Sequence, residues 1–279
     1  MDKGEIITQV IIWCITTTLS AFLGWIFGKK KSKDAVGRKV SIYLPLVEEL
    51  ENINSNGLSV SEKVNAKFVN EMVTNEFKYG LSKKELEKLS EFKKHIENYN
   101  SINFVAAVHN ILVSEFRIGF EEMYGSIVDG IVPQFDDEGN YVCDDEIEVP
   151  EFTFMWQCDW TEEIKKLIST GDCDDDFIDF PSGESIPINS TRTKIFNTAL
   201  SVTYDDGTPT NRKKQIDWVD SVGSYIAYIT DFDSDMDSNE TVTKKYEIRN
   251  ELLKMSEEIQ TYYKDKIRKI VNKYEKEEL

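Results

Sequence analysis

Residues 101–125, SINFVAAVHNILVSEFRIGFEEMYG, are the most apolar stretch of the chain beyond its first thirty residues. Their length and apolar content predict a helix at the centre of a bundle, which sets the fold class as mainly α. His109 lies on this helix between Val108 and Asn110. A lone histidine in such a setting is ordinarily a satisfied core or boundary residue, and no serine or cysteine nucleophile can be paired with it from spacing alone.

Working toward the amino terminus, Val36, Val40, Tyr43, Val47 and Leu50 recur at four- and three-residue steps and predict one helix face, with Pro45 marking a kink or restart. A Ser-x-x-Glu pair at Ser59 and Glu62 predicts the start of a helix closing at Gly80, with Val64, Phe68 and Met72 on its stripe. A second pair, Ser82 and Glu85, predicts the start of the next.

Toward the carboxyl terminus the pattern becomes mixed. IVPQFDDEGNYVC and EVPEFTFMWQC combine short apolar runs with a Gly-containing acidic turn, so a small β element is expected near 127–160. DWTEEIKKLISTG predicts a short helix from Thr161 to Gly171, and helical spacing returns in TRTKIFNTALSVTY and in Ile216, Val219, Val222, Ile226 and Ile229. The last stretch, 241–279, reads as one long amphipathic helix. Ile248, Leu252, Met255, Ile259 and Tyr262 share a stripe that continues one position later at Tyr263, Ile267, Ile270 and Tyr274. That slip fits packing on the chain's own helices better than a coiled coil.

Charge divides the chain as the patterns do. Of 279 residues with net charge −18, residues 1–126 carry 16 basic and 16 acidic side chains, 127–240 carry 7 and 27, and 241–279 carry 10 and 8. The expected organisation is therefore an anchor at 1–28, a helical segment at 29–126, an acidic mixed α/β module at 127–240 and a terminal helix at 241–279 packing on the helical segment.

The anchor rests on the uncharged run from Ile6 to Phe27, which as a helix spans roughly 30 Å. Lys29, Lys30, Lys31 and Lys33 follow it, so a single-pass cell-membrane protein is expected, with its amino terminus outside and the remainder cytoplasmic. Thr16, Ser20, Gly24 and Gly28 fall every fourth residue on one ridge, a small-xxx-small pattern through which copies could associate.

Chemistry is sparse. Cys143, Cys158 and Cys173 stand fifteen residues apart with no two-residue pairing suited to zinc, and His95 and His109 are the only histidines. No Walker loop, dinucleotide glycine motif, HExxH, GxSxG or kinase signature occurs. Asp231, Asp233, Asp235 and Asp237 alternate as calcium-loop oxygens do, but Met236 stands where the sharp turn needs Gly and Val242 where a bidentate Glu is needed. An acidic loop is thus favoured over weak calcium or magnesium binding, and no other cofactor is expected.

The expected function is a membrane-anchored protein-interaction module; association through the span is an optional assembly step beside a plain anchor role, and the acidic third could meet a partner with a basic surface or serve as solubilising charge. Direct nucleic-acid binding is disfavoured because phosphate neutralisation needs Lys and Arg on the contact face. The composition has a bacterial or mobile-element style, and sensing, assembly and phage-defence roles fit the layout equally. The alternative is a membrane-held metal-dependent hydrolase or nuclease using carboxylates from 136–176 or 231–237.

Overall fold

A computed structural model of the chain describes residues 20, 28–55, 57–170, 177–179, 185–187, 191–202 and 232–275. The described residues are mainly helical, with a two-stranded antiparallel sheet as the main β element and a second pair of three-residue strands, β3 (Phe177–Asp179) with β4 (Ser185–Pro187).

The chain forms two compact units. The first comprises residues 1–58, 64–97 and 250–279, and the second residues 59–63 and 98–249.

In the first unit, helical residues 28–38 continue through a π-helical turn, Lys39–Tyr43, into α1 (Leu44–Ser55). The Leu44 amide donates to the Lys39 carbonyl, and Pro45, which has no N–H to give, follows directly, so the ladder changes register where the sequence put a restart. The pair Ser59 and Glu62, which belongs to the second unit, makes only a turn, with the Glu62 amide on the Ser59 carbonyl, and helix α2 of the first unit starts later, at Lys67 (Lys67–Thr74). Its cap comes from α1: the Glu49 carboxylate accepts from the amides of Phe68 at 2.8 Å and Val69 at 2.9 Å. A side chain distant in sequence has displaced the local cap.

A short α3 (Glu76–Tyr79) ends at Gly80, whose φ of +55° is a left-handed cap. Ser82 and Glu85 then form the expected box at the head of α4 (Lys83–Ser101), with the Ser82 amide and hydroxyl donating to Glu85 Oε2 at 2.9 and 2.6 Å. The C-terminal helix α10 (Glu240–Ile270) enters this unit with its later residues. Leu252, Ser256, Ile259 and Tyr263 are its buried positions, spaced four, three and four apart. Lys264 pairs with Glu51, Lys266 with Glu85, and Lys39 with Glu275 in the terminal π turn Val271–Glu275.

The second unit is built around α5 (Phe104–Tyr124), whose N-cap Asn103 accepts from the Ala106 amide at 3.2 Å. Val108, Leu112, Phe116 and Phe120 are buried against α6 (Pro150–Gln157), α7 (Thr161–Thr170) and α8 (Thr191–Leu200), with Val242 of α10 joining them. The β element is a hairpin of β1 (Val128–Phe135) and β2 (Tyr141–Glu148). EVPEFTFMWQC leaves the strand pattern at Pro150, where the fixed φ opens a helix, and residues 150–157 are helical instead. A short helix α9 (Phe232–Ser238) precedes α10.

The membrane expectation is corrected. Among the described residues no helix is long and apolar enough to cross a membrane, so a single-pass cell-membrane protein with its amino terminus outside is not supported. The most apolar described helix, α5, has only residues 104–114 before its first charge at Glu115, about 16 Å of rise against the roughly 30 Å a bilayer core requires. Its apolar face is instead covered by protein. The run from Ile6 to Phe27, with Thr16 and Gly24 of the proposed ridge, lies outside the described residues, Ser20 excepted. Gly28, Lys29, Lys30 and Lys31 are exposed residues of helix 28–38, as is Lys33.

Candidate functional site

Ile127 and Val149 fix the hairpin at its base. Both are buried in the core of the second unit, and the Val149 amide donates to the Ile127 carbonyl at 2.7 Å. Beyond this anchor the strands lose their cover: Ile131 is 63% exposed, Phe135 59% and Val142 59%, and Tyr141, Ile147 and Val132 are exposed as well. Alongside them Trp156 of α6 is exposed and donates through Nε1 to Glu148 Oε2 at 2.9 Å. Large apolar side chains gathered on a two-stranded sheet are unusual on a surface without a partner.

The register interleaves two kinds of side chain. Ile131 faces Glu146, Val132 faces Asp145 and Pro133 faces Asp144, so apolar residues of β1 stand opposite carboxylates of β2. Residues 127–149 contain eight acidic side chains and no Lys or Arg. Two irregularities set the twist, with Asp129 and Val142 as the extra residues on β1 and β2.

The tip is rigidly organised. Asp136 Oδ1 accepts from the amides of Glu138 at 3.0 Å and Asn140 at 2.7 Å, Oδ2 accepts from Asn140 Nδ2 at 3.1 Å, and Gly139 supplies a φ of +83°. The hydrogen bonds from Asn140 hold the Asp136 carboxyl below the usual range.

A second feature of this unit is a cleft of about 310 Å³ lined by Asn103, His109, Cys158, Asp159, Trp160 and Lys165 among others. Its residue types suggest a Cys-His-Asp arrangement, but the surroundings of each group work against it. His109 Nε2 lies 3.2 Å from the Met155 carbonyl. Burial, then the charges of Glu163 and Asp159, push the Cys158 thiol up, opposite to what a nucleophile needs. Asp159 accepts from the Thr161 hydroxyl and from the Thr161 amide at 3.0 Å, and these bonds cap α7 and hold its carboxyl low. Lys165 is paired with Glu162 at 2.8 Å.

The cleft adjoins another of about 260 Å³ that shares Ser61, Asn103 and Val105 and contains Lys245. Lys245 is buried, donates to the carbonyls of Tyr99 at 2.5 Å and Ile102 at 3.3 Å, and lies over the Tyr99 ring. It closes the C-terminal end of α4. Burial, reinforced by Lys63, pushes its ammonium down to about 8.

Sequence reading missed the buried polar residues of this unit. Glu115 and Glu151 are fully buried, and Arg192 Nη1 lies 3.3 Å from Glu115 Oε1. Glu115 lies three residues after Leu112 and seven after Val108, on the same buried stripe of α5, which is the only signal the sequence held.

Of the metal candidates, Asp233, Asp235 and Asp237 lie on α9, and Asp231 lies outside the described residues. On a helix, side chains two positions apart point to different sides, so the alternation does not make the converging loop it suggests. Among the described residues no group of three or more His, Cys, Asp or Glu side chains is placed to hold a metal ion. The acidic run after Gly171, with Cys173, lies outside the described residues. No protein-family model, curated protein or solved structure matches the chain.

Proposed function

We propose that this chain is a protein-binding module whose contact is the β1–β2 hairpin, and that its partner presents a basic surface with apolar pockets. The observation that carries this reading is the pairing of exposed Ile131, Phe135, Tyr141, Val142 and Trp156 with eight carboxylates and no cation on one anchored arm. A sheet that keeps a buried base while exposing its large side chains has the composition of a contact patch, in which apolar anchors supply affinity and charge supplies orientation and on-rate. Closely spaced carboxylates repel one another, and a cationic partner relieves that repulsion.

The test is photo-crosslinking capture in the native host, with a reactive residue at position 142 of the full-length chain. It is run beside a variant carrying Ile131→Ser, Phe135→Ser and Tyr141→Ser. One partner recovered with the parent and lost with the variant supports the reading. The same proteins recovered in equal amounts from both overturn it.

A further inference from the structure

We propose that the outer edge of β2 takes up an extended basic segment of the partner as a third strand. The proposal rests on the hairpin being the contact surface and specifies how the partner is held.

The two strands pair only with each other among the described residues, so each keeps one edge of backbone N–H and C=O groups facing away from its neighbour. The two edges are not equivalent. β1 has its extra residue at Asp129 and carries Pro133, which lacks an N–H, so its interior is interrupted. On β2 the extra residue is Val142, near the tip, and residues 143–148 run on without a break. Such an uninterrupted, exposed edge can extend a sheet by main-chain hydrogen bonding, with side-chain pairing setting which segment is accepted.

Side-chain alternation then specifies the segment. Asp144, Glu146 and Glu148 share one face of β2, at a separation of about 6.7 Å per two residues. The opposite face carries Cys143, Asp145 and Ile147. A neighbouring strand with Lys or Arg at every second position sets one cation beside each carboxylate of the first face, and the residues between them fall on the face of Cys143, Asp145 and Ile147. Glu148 keeps its bond to Trp156, which places an indole at the end of this acidic row. A second copy of the hairpin would set carboxylate against carboxylate, so the geometry selects a basic segment from a different protein.

The test uses the full-length chain and a fluorescein-labelled peptide, Lys-Val-Lys-Val-Lys-Val-Lys, followed by anisotropy at fixed ionic strength. Two control peptides are a scrambled one with all lysines together and one methylated on alternate backbone nitrogens. The expected result is binding weakened at least tenfold by scrambling, by methylation, and by the variant Asp144→Asn, Glu146→Gln, Glu148→Gln. All three positions lie on the arm outside the core, and circular dichroism checks that the variant stays folded. Equal binding of the methylated or scrambled peptide shows attraction of charge alone and overturns the proposal, as does no binding of the alternating peptide. If the partner is still captured through the hairpin while the alternating peptide fails, the contact surface stands and the strand addition is wrong. Loss of hairpin-dependent capture, by contrast, removes the contact surface itself.

Discussion

Lys266 on α10 donates to the buried carboxylate of Glu85 on α4, and its ammonium lies 5.4, 4.8 and 5.6 Å from the ring centroids of Tyr43, Tyr262 and Tyr263. Burial opposes charge on both groups and is the largest single influence, but their mutual hydrogen bond and attraction, together with the Ser82 bonds to Glu85 and the Tyr262 bond to Lys266, outweigh it, so Glu85 is lowered and Lys266 raised. A lowered carboxylate contributes stability above its unfolded value near 4.5 that is lost as pH falls through the folded value. A raised lysine contributes below 10.5 and loses its part as pH rises through the folded value.

Lys266→Met should therefore destabilise the protein by about 1–3 kcal/mol at pH 7, because it leaves Glu85 buried without its cation. Urea unfolding measures this, and the deficit should shrink on acidification below pH 4.5. An undiminished deficit at low pH would assign the loss to packing of the lysine stem on the three rings.

Glu49 should act as the remote cap of α2. Glu49→Ala removes the acceptor of two amides and should cost about 1–2 kcal/mol. Hydrogen exchange is the direct readout: the amides of Phe68 and Val69 should lose protection first. Uniform loss across the unit would show that Glu49 instead acts through general packing.

Lys245 gives a pH dependence of unusual sign. Its folded value of about 8 lies below 10.5, so between these pH values the unfolded chain binds the extra proton and stability rises with pH. Comparing the parent with Lys245→Met at pH 7 and pH 9.5, the difference should move in favour of the parent by on the order of 1–2 kcal/mol. A pH-independent difference would mean that the ammonium keeps its proton throughout.

Phe116 is fully buried, with its ring 5.7 Å from Phe196 and 6.1 Å from Phe120. Phe116→Ala should cost about 3–5 kcal/mol in thermal or urea unfolding. Phe135→Ser on the hairpin should change stability by less than about 1 kcal/mol, since that side chain is already exposed. Equal losses at the two positions would refute the distinction between core and contact residues.

Asp136 should hold the hairpin tip in register. In Asp136→Ala the amides of Glu138 and Asn140 lose their acceptor, and their NMR signals should shift toward unstructured values while those of α5 stay in place. The parent should show the same local change as pH falls below about 3.8, because the depressed carboxyl must then take up a proton.

Local periodicity and chain chemistry determined most of the helices. The apolar stripe of α5, the box at Ser82 and Glu85, the restart at Pro45 and the Gly-containing acidic turn of the hairpin all follow from interactions within a few residues, which a sequence displays directly. Only the tertiary structure decided the features whose partners are distant. Glu49 reaches twenty residues ahead to cap α2 and overrides Ser59. Ser256 takes a buried place on α10 that an apolar stripe assigns to Met255, because its hydroxyl lies 3.5 Å from the Leu50 carbonyl. Glu115 enters a core beside Arg192, and of the groups lining one cleft with Cys158, His109 lies against the Met155 carbonyl and Asp159 accepts from Thr161. A one-dimensional pattern records which residues can be buried, but the charge or hydrogen bond that makes burial of a polar group tolerable comes from another part of the chain, so only the folded arrangement reveals it.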